Sequence, residues 1–261
     1  MKSTLLLFFT FIFATTTFAQ NRSNFYHKIK KAKIESRYLK LVYKDKNGVK
    51  KDISVCSKYL KGIISLDKNI PVIDFWSITD DNNSDNPNCI SNNTELGELG
   101  RFEIDLTPRS KVGDSTKYIV VPFRAWTWGV GATPFRYRPK TETSFSTISS
   151  SLGVTINYGR TFGWSTISPR AINNFSVTVG PFVGLSSVDL RKSTVKSPTT
   201  WTTDRTNAAF TYGINSIFAR NNFGLVLSIG FDNNFGENSK EWSYQNRPWF
   251  GIGINTSLGI F

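Results

Sequence analysis

The feature that most constrains this chain is a two-residue period that recurs through its C-terminal half. In the last such run Phe250, Ile252, Ile254, Thr256, Leu258 and Ile260 alternate with Gly251, Gly253, Asn255, Ser257 and Gly259. The same period sets Phe223, Leu225, Leu227, Ile229 and Phe231 against Asn222, Gly224, Val226, Ser228 and Gly230, and Phe175, Val177, Val179, Pro181, Val183 and Leu185 against Ser176, Thr178, Gly180, Phe182, Gly184 and Ser186. Successive side chains of a strand point to opposite faces, so each run predicts a strand with one greasy face and one small, polar face.

The runs are also long. Soluble strands average about 5 or 6 residues and membrane-spanning ones need roughly 9 to 11, which the stretches 173–189, 222–234 and 248–261 all reach. A soluble sandwich tends to put charge on its open face. Gly, Ser, Thr and Asn instead suit the tight interior of a small barrel whose outer face meets lipid. Expected strands are Phe102 to Leu106, Lys117 to Trp126, Thr127 to Arg138, Phe145 to Tyr158, Phe175 to Leu190, Arg205 to Ala219, Phe223 to Phe235 and Trp249 to Phe261. The fold class expected is therefore all-β, an antiparallel transmembrane β-barrel of about eight strands, preceded by a small basic β-containing region. Connections alternate long and short, with 236–247 and 191–204 long and 220–222 short, as membrane barrels require. The connection from Thr161 to Ile172 breaks that rule unless part of it extends the strands. Trp126, Trp128, Trp164, Trp201, Trp242 and Trp249 are expected near strand ends or in loops, where an indole suits a membrane interface, with ordinary core packing as the alternative.

Three segments follow from composition. Residues 1–19, with Lys2, the apolar run Leu5 to Ala14 and Ala19 before a cut, have the layout of a secretory signal peptide and are short for a spanning helix. Residues 20–100 form a basic region expected in the periplasm: Arg22 to Lys61 carries 13 Lys and Arg against Glu35, Asp45 and Asp52. Inside it, Asn47-Gly48 between two alternating runs predicts a hairpin. Residues 101–261 are the barrel. Cys56 and Cys89, the only cysteines, permit one disulfide in an exported chain, with two unpaired thiols as the alternative. The acidic stretch Asp80 to Asn88 invites calcium, but Gly and Glu are missing where an EF-hand loop needs them, so it reads as a solvated loop.

With the signal segment, this pattern and the terminal Phe261, the chain resembles small bacterial outer-membrane β-barrel proteins of the OmpA-like or OmpX-like kind over about Arg101 to Phe261. The resemblance implies the outer membrane of a Gram-negative bacterium, contact with lipopolysaccharide, and Phe261 as part of the signal read by the barrel assembly machinery. One departure is that Gly259, Ser257 and Asn255, not apolar residues, share the parity of Phe261.

Chemistry is sparse. The chain has one histidine, His27, in the basic Tyr26-His27-Lys28 segment, where it is expected to be exposed, and the barrel half has none to act as base beside a hydroxyl. Carboxylates there, Asp189 and Asp232 among them, are expected mostly near turns. No catalytic residue, cofactor or metal site is expected. Arg124, Arg136 and Arg138 are candidates for contact with an anion or a lipid phosphate, or for strand ends in water. Lys28, Lys30, Lys31 and Lys33 are candidates for a patch that binds an anionic periplasmic polymer or envelope protein, or that merely solvates the region; nucleic acid fits the charge but not the compartment. The expected role is structural or interactive. A porin-like channel for small, possibly anionic solutes is the alternative.

Overall fold

The computed structural model describes residues 25–30, 40–44, 48–51, 54–55, 59–75, 89–90, 101–105, 118–150 and 153–258. The expected signal segment, the acidic stretch 80–88, Lys31, Lys33, Cys56 and Phe261 lie outside the described residues. Among those described there is no α-helix, so no helix is long and apolar enough to cross a membrane, which says nothing of strands. The fold is all-β: β1 (Phe25–Lys30), β2 (Lys40–Lys44), β3 (Lys50–Lys51), β4 (Ser54–Val55), β5 (Tyr59–Asp67), β6 (Ile70–Phe75), β7 (Cys89–Ile90), β8 (Arg101–Asp105), β9 (Ile119–Arg138), β10 (Thr147–Ser150), β11 (Gly153–Ile167), β12 (Ile172–Leu190), β13 (Arg205–Arg220), β14 (Phe223–Asn234) and β15 (Pro248–Leu258). Strand pairing is antiparallel apart from the short parallel pair of β4 with β7.

The chain divides into two compact units. The first, here the ring unit, holds Trp126–Thr161 and Ser176–Phe261; the second, the N-terminal unit, holds Ser23–Ala125 and Phe162–Phe175. The division falls inside β9, β11 and β12.

In the ring unit β11, β12, β13, β14, β15 and β9 pair in that order, and β9 also pairs with β11, so the path returns to its start. Among the described residues this path has six strands, where about eight were expected for a barrel. Thr127 continues the strand that the expectation ended at Trp126, because no turn residue stands between them. Arg101–Asp105 pairs with β2 and β6 in the other unit. The short connection is the two-residue turn at Asn221 and Asn222, where Arg220 faces Phe223 and Asn221 takes φ 53°. A hairpin turn of two residues needs positive φ, which Asn tolerates. The doubtful connection is short after all, because β11 runs to Ile167 and β12 starts at Ile172.

In the N-terminal unit β9 pairs with β1, followed by β5, β6, β8, β2 and β3. The expected hairpin is present: Tyr43 faces Lys51 and Lys44 faces Lys50, with Gly48 at φ 79°. A second hairpin turns at Lys68 and Asn69, both at positive φ. Its core is an ordinary apolar one, in which Ile29, Leu60, Ile64, Ile73, Phe102, Ile104, Val121 and Ile167 are buried together.

Candidate functional site in the ring interior

The ring unit reverses that arrangement over much of its length, although Val188, Leu190 and Ala209 near the long loops and Ile217, Ala219 and Val226 near the Asn221 turn form buried apolar clusters. Thr127, Thr155, Asn157, Thr178, Asn215, Ser228 and Asn255 are buried, whereas Ile156, Val179, Val183, Ile214, Leu225, Leu227, Ile252 and Ile254 are exposed on the outer side. Part of this interior is paired: the Thr161 hydroxyl lies 2.8 Å from that of Thr127 and 2.6 Å from that of Thr178, and Thr155 donates to the Gly131 carbonyl at 3.1 Å, whereas Asn157 Nδ2, Asn215 Oδ1 and Asn255 Nδ2 are buried without a partner among the described residues. Buried polar groups cost free energy unless paired, so these ladders make a polar interior tolerable.

Outside, aromatic residues gather at two levels. Trp126, Trp128 and Tyr158 are exposed toward the end with the Asn221 turn, and Phe135, Tyr137, Phe210, Tyr212 and Phe250 toward the end with the long loops. The ring of Trp126 stacks on Tyr158 at 5.3 Å, and Arg160 lies over Trp126 at 5.5 Å.

The charged centre of the interior is built by a bulge. Along β9 the outward residues are even-numbered at Trp126 and Trp128 and odd-numbered at Phe135 and Tyr137. The parity changes because Ile252 faces Phe135 while Ile254 faces Ala132, which leaves β9 one residue longer than β15 at Thr133-Pro134. Proline cannot donate a ladder hydrogen bond and is found at bulges. Opposite it stands Gly253, where a Cβ would meet the Ala132 carbonyl oxygen at 2.0 Å, so only glycine allows this approach.

The consequence is that the three candidate arginines, all of one parity in sequence, separate. Arg124 is exposed, with its guanidinium over the Phe162 ring at 5.7 Å. Arg136 and Arg138 turn inward and are buried, the former at 0% exposure. Both converge on Asp232, which is also at 0%. Arg136 donates from Nη1 to both carboxylate oxygens at 3.1 Å, and from Nε to the Thr133 carbonyl at 3.3 Å. Arg138 donates from Nη2 to Asp232 Oδ2 at 2.6 Å. Their planes lie over aromatic rings, Arg136 over Trp249 at 4.5 Å and Arg138 over Trp242 at 4.9 Å. Neither arginine ends a strand in water. Trp242 and Trp249 take the core-packing alternative, buried against these arginines, and Asp232 sits in β14, which ends at Asn234.

The long loops close over this end. Val195 and Trp242 form a β-bridge, Lys196 N–H donates to the Glu241 carbonyl at 2.8 Å, and Ser243 N–H donates to that of Thr194 at 2.9 Å. Thr143 and Ser243 hydroxyls meet at 3.0 Å, and the Tyr244 hydroxyl donates to the Phe145 carbonyl. Burial holds the Tyr244 phenol above its ordinary pKa, with the charge of Arg138 acting in the opposite sense, so the hydroxyl keeps its proton for that bond.

In the N-terminal unit His27 is not exposed but buried, at 1%. Phe25, His27 and Ile29 share the inward-tending face of β1, which the alternation with Tyr26, Lys28 and Lys30 already contained. His27 Nε2 lies 2.8 Å from Ser165 Oγ, which donates to Asn174 Oδ1 at 2.5 Å. The pair resembles a base beside a nucleophile, but Ile64 N–H donates to Nδ1 at 3.2 Å. The proton of the neutral ring therefore sits on Nε2, and the histidine donates to the serine instead of accepting its proton. Burial lowers the His27 pKa to about 4, while a backbone hydrogen bond at Gly62 offsets only part of that. Of the candidate lysines, Lys30 is exposed and Lys28 half-buried, and Lys28 stands directly across from Lys61 of β5. Cys89 lies in β7, paired across from Ser54. Among the described residues no group of three or more His, Cys, Asp or Glu is placed to hold a metal.

In comparisons with protein-family models, curated proteins and solved structures, none matches this chain. What the site can do rests on its own geometry.

Proposed function

We propose that the ring unit spans an outer membrane as a closed, side-chain-filled β-barrel, that the N-terminal unit lies in the periplasm, and that the protein has a non-catalytic structural or interaction role. One observation carries this reading: the ring's outer face is apolar over strands of 11 to 20 residues, while polar side chains such as Thr161, Asn157, Thr178 and Asp232 are buried within beside smaller apolar clusters. In water that arrangement exposes apolar area far beyond what a soluble monomer tolerates, and in lipid it is the expected polarity. From Trp126 to Tyr137, at about 3.3 Å per residue and a tilt of about 40°, the aromatic levels stand about 28 Å apart, against roughly 25 Å for a membrane barrel's apolar band. The likeness to small outer-membrane barrels belongs to this proposal.

For partners, the outward Arg160 beside Trp126 suits a lipid phosphate at the membrane interface, and lipopolysaccharide or another anionic envelope component suits the loop end and the lysines of β1 and β5. The channel reading is the weaker one, because Arg136, Thr161, Thr211 and Asp232 have no solvent contact at all. A heat-modifiability gel on the outer-membrane fraction tests the main proposal: a mobility difference between unboiled and boiled samples is expected, and recovery in the soluble periplasmic fraction without one overturns it. Single-channel recording separates the two roles, since steady conductance on the scale of a water-filled pore sinks the filled barrel.

A further inference from the structure

We infer that the ring interior is a binding site for one small monovalent anion of the halide class, held at the Arg136 and Arg138 guanidiniums. Charge is the first argument. Two arginine guanidiniums meet a single carboxylate, Asp232. The buried group therefore carries one uncompensated positive charge. An interior without water leaves such a charge strongly destabilising unless a counter-charge joins it. The aromatic planes of Trp249 and Trp242 attract the cations but do not neutralise them.

Hydrogen bonding is the second argument, and it is independent of the charge count. Arg136 Nη2 and Arg138 Nη1 are buried without a partner among the described residues, and so are Trp249 Nε1, Thr211 Oγ1, Ser186 Oγ and both amide atoms of Asn234. These groups belong to one neighbourhood. Thr211 is the cross-strand partner of Asp232, Asn234 follows it on the same inward face, and the Trp249 ring lies under Arg136. A Cβ at Gly153 would come within 2.7 Å of Arg136 Nη2 and 2.9 Å of the Ser186 Cβ, which brings that guanidinium and that serine to the same spot. The unspent groups are overwhelmingly N–H and O–H donors beside a net cation. Water, which must also donate, finds only the Asn234 carbonyl and the hydroxyl oxygens to receive its protons. An anion accepts from every donor and cancels the charge. Arg136 at 0% and Arg138 at 3% exposure fit a small ion rather than a lipid headgroup. This inference depends on the ring's interior and not on which solvent meets its outer face, so it can fail while the membrane reading stands.

The test uses the full chain purified in detergent, with potassium chloride exchanged for potassium gluconate at constant ionic strength. Chloride is expected to raise the unfolding midpoint by about 4 °C. The variant Arg138→Gln, which leaves a neutral Arg136–Asp232 pair, is expected to lose that dependence. A chloride effect of equal size in both proteins, or none in the parent, overturns the inference. Bromide-soaked crystals of the parent protein give a reading that does not depend on the variant folding. Anomalous density against Arg136 Nη2 or Arg138 Nη1 supports the site, and ordered water alone at those atoms removes it.

Discussion

The two units use one strand code with opposite sides facing in. In the N-terminal unit Ile29, Ile64, Ile73 and Ile104 point to the core, and in the ring unit their counterparts Leu225, Leu227, Ile252 and Ile254 point out, with Thr161, Asn157 and Asp232 within. Alternation alone therefore says that a sheet has two unlike faces and not which one is buried. What decides is the partner available to each face: a second apolar surface in one unit, a shared set of hydrogen bonds in the other.

The largest effect is expected where the ring's polar interior is broken. Asp232→Ala leaves Arg136 and Arg138 buried without their carboxylate, and removing one member of such a cluster costs about 4 kcal/mol. The temperature at which the compact gel band disappears should fall steeply. Hydrogen exchange read peptide by peptide should show the loss in 126–161 and 176–258 and spare the core of Ile29 and Phe102. Uniform loosening of both units would mean that they do not hold their interiors independently.

The N-terminal unit has the complementary weakness, a buried titratable group. His27 binds a proton near pH 6.5 when unfolded and only near pH 4 when folded. Between those values the unfolded chain carries more protons, so stability is full above about pH 6.5 and falls as the pH drops toward 4. At about 1.4 kcal/mol per pH unit the whole loss is about 3 kcal/mol. Unfolding of this unit followed by exchange between pH 7 and 4 should show it, and His27→Gln should flatten the profile. A slope that survives the substitution would assign the acid sensitivity to another group.

How much of this was legible in sequence depended on how local the cause was. The strands and faces of β12, β14 and β15 follow from alternation within each run, and the Gly48 and Asn221 turns from short motifs. The bulge is legible too, since the apolar parity of β9 changes around Pro134, and that change separates Arg124 from Arg136 and Arg138. Other features needed contacts distant in sequence. His27 reaches Ser165, 138 residues away, and Asp232 meets Arg136 from a strand 96 residues on, so neither burial was visible from neighbouring residues.

The outer face offers a sharper contrast. Leu227 lies between Phe223 and Phe231 on β14, midway between the aromatic levels. A charge there should cost about 2 to 3 kcal/mol if lipid surrounds it. Ile70, exposed on the N-terminal unit, should accept the same change within about 0.5 kcal/mol. Folding yields of Leu227→Arg and Ile70→Arg into lipid vesicles make the comparison. Equal tolerance at both sites would mean that water meets both outer faces.

The smallest effects probe the interiors with one atom exchanged for another of like size. Thr161→Val removes the hydroxyl that joins Thr127 to Thr178 and strands both of them in the ring, at about 1 to 2 kcal/mol. Val121→Thr places a hydroxyl in the apolar core of the N-terminal unit, with the same sign and similar size. The two changes run in opposite directions on any hydropathy scale. If stability followed hydropathy alone, the first would strengthen the protein and the second weaken it. If it follows whether each interior's groups are paired, both weaken it, and each does so in its own unit. Paired measurements of midpoint and exchange on these two variants distinguish the cases, and strengthening by Thr161→Val would show that the polar interior is tolerated by the ring rather than needed by it.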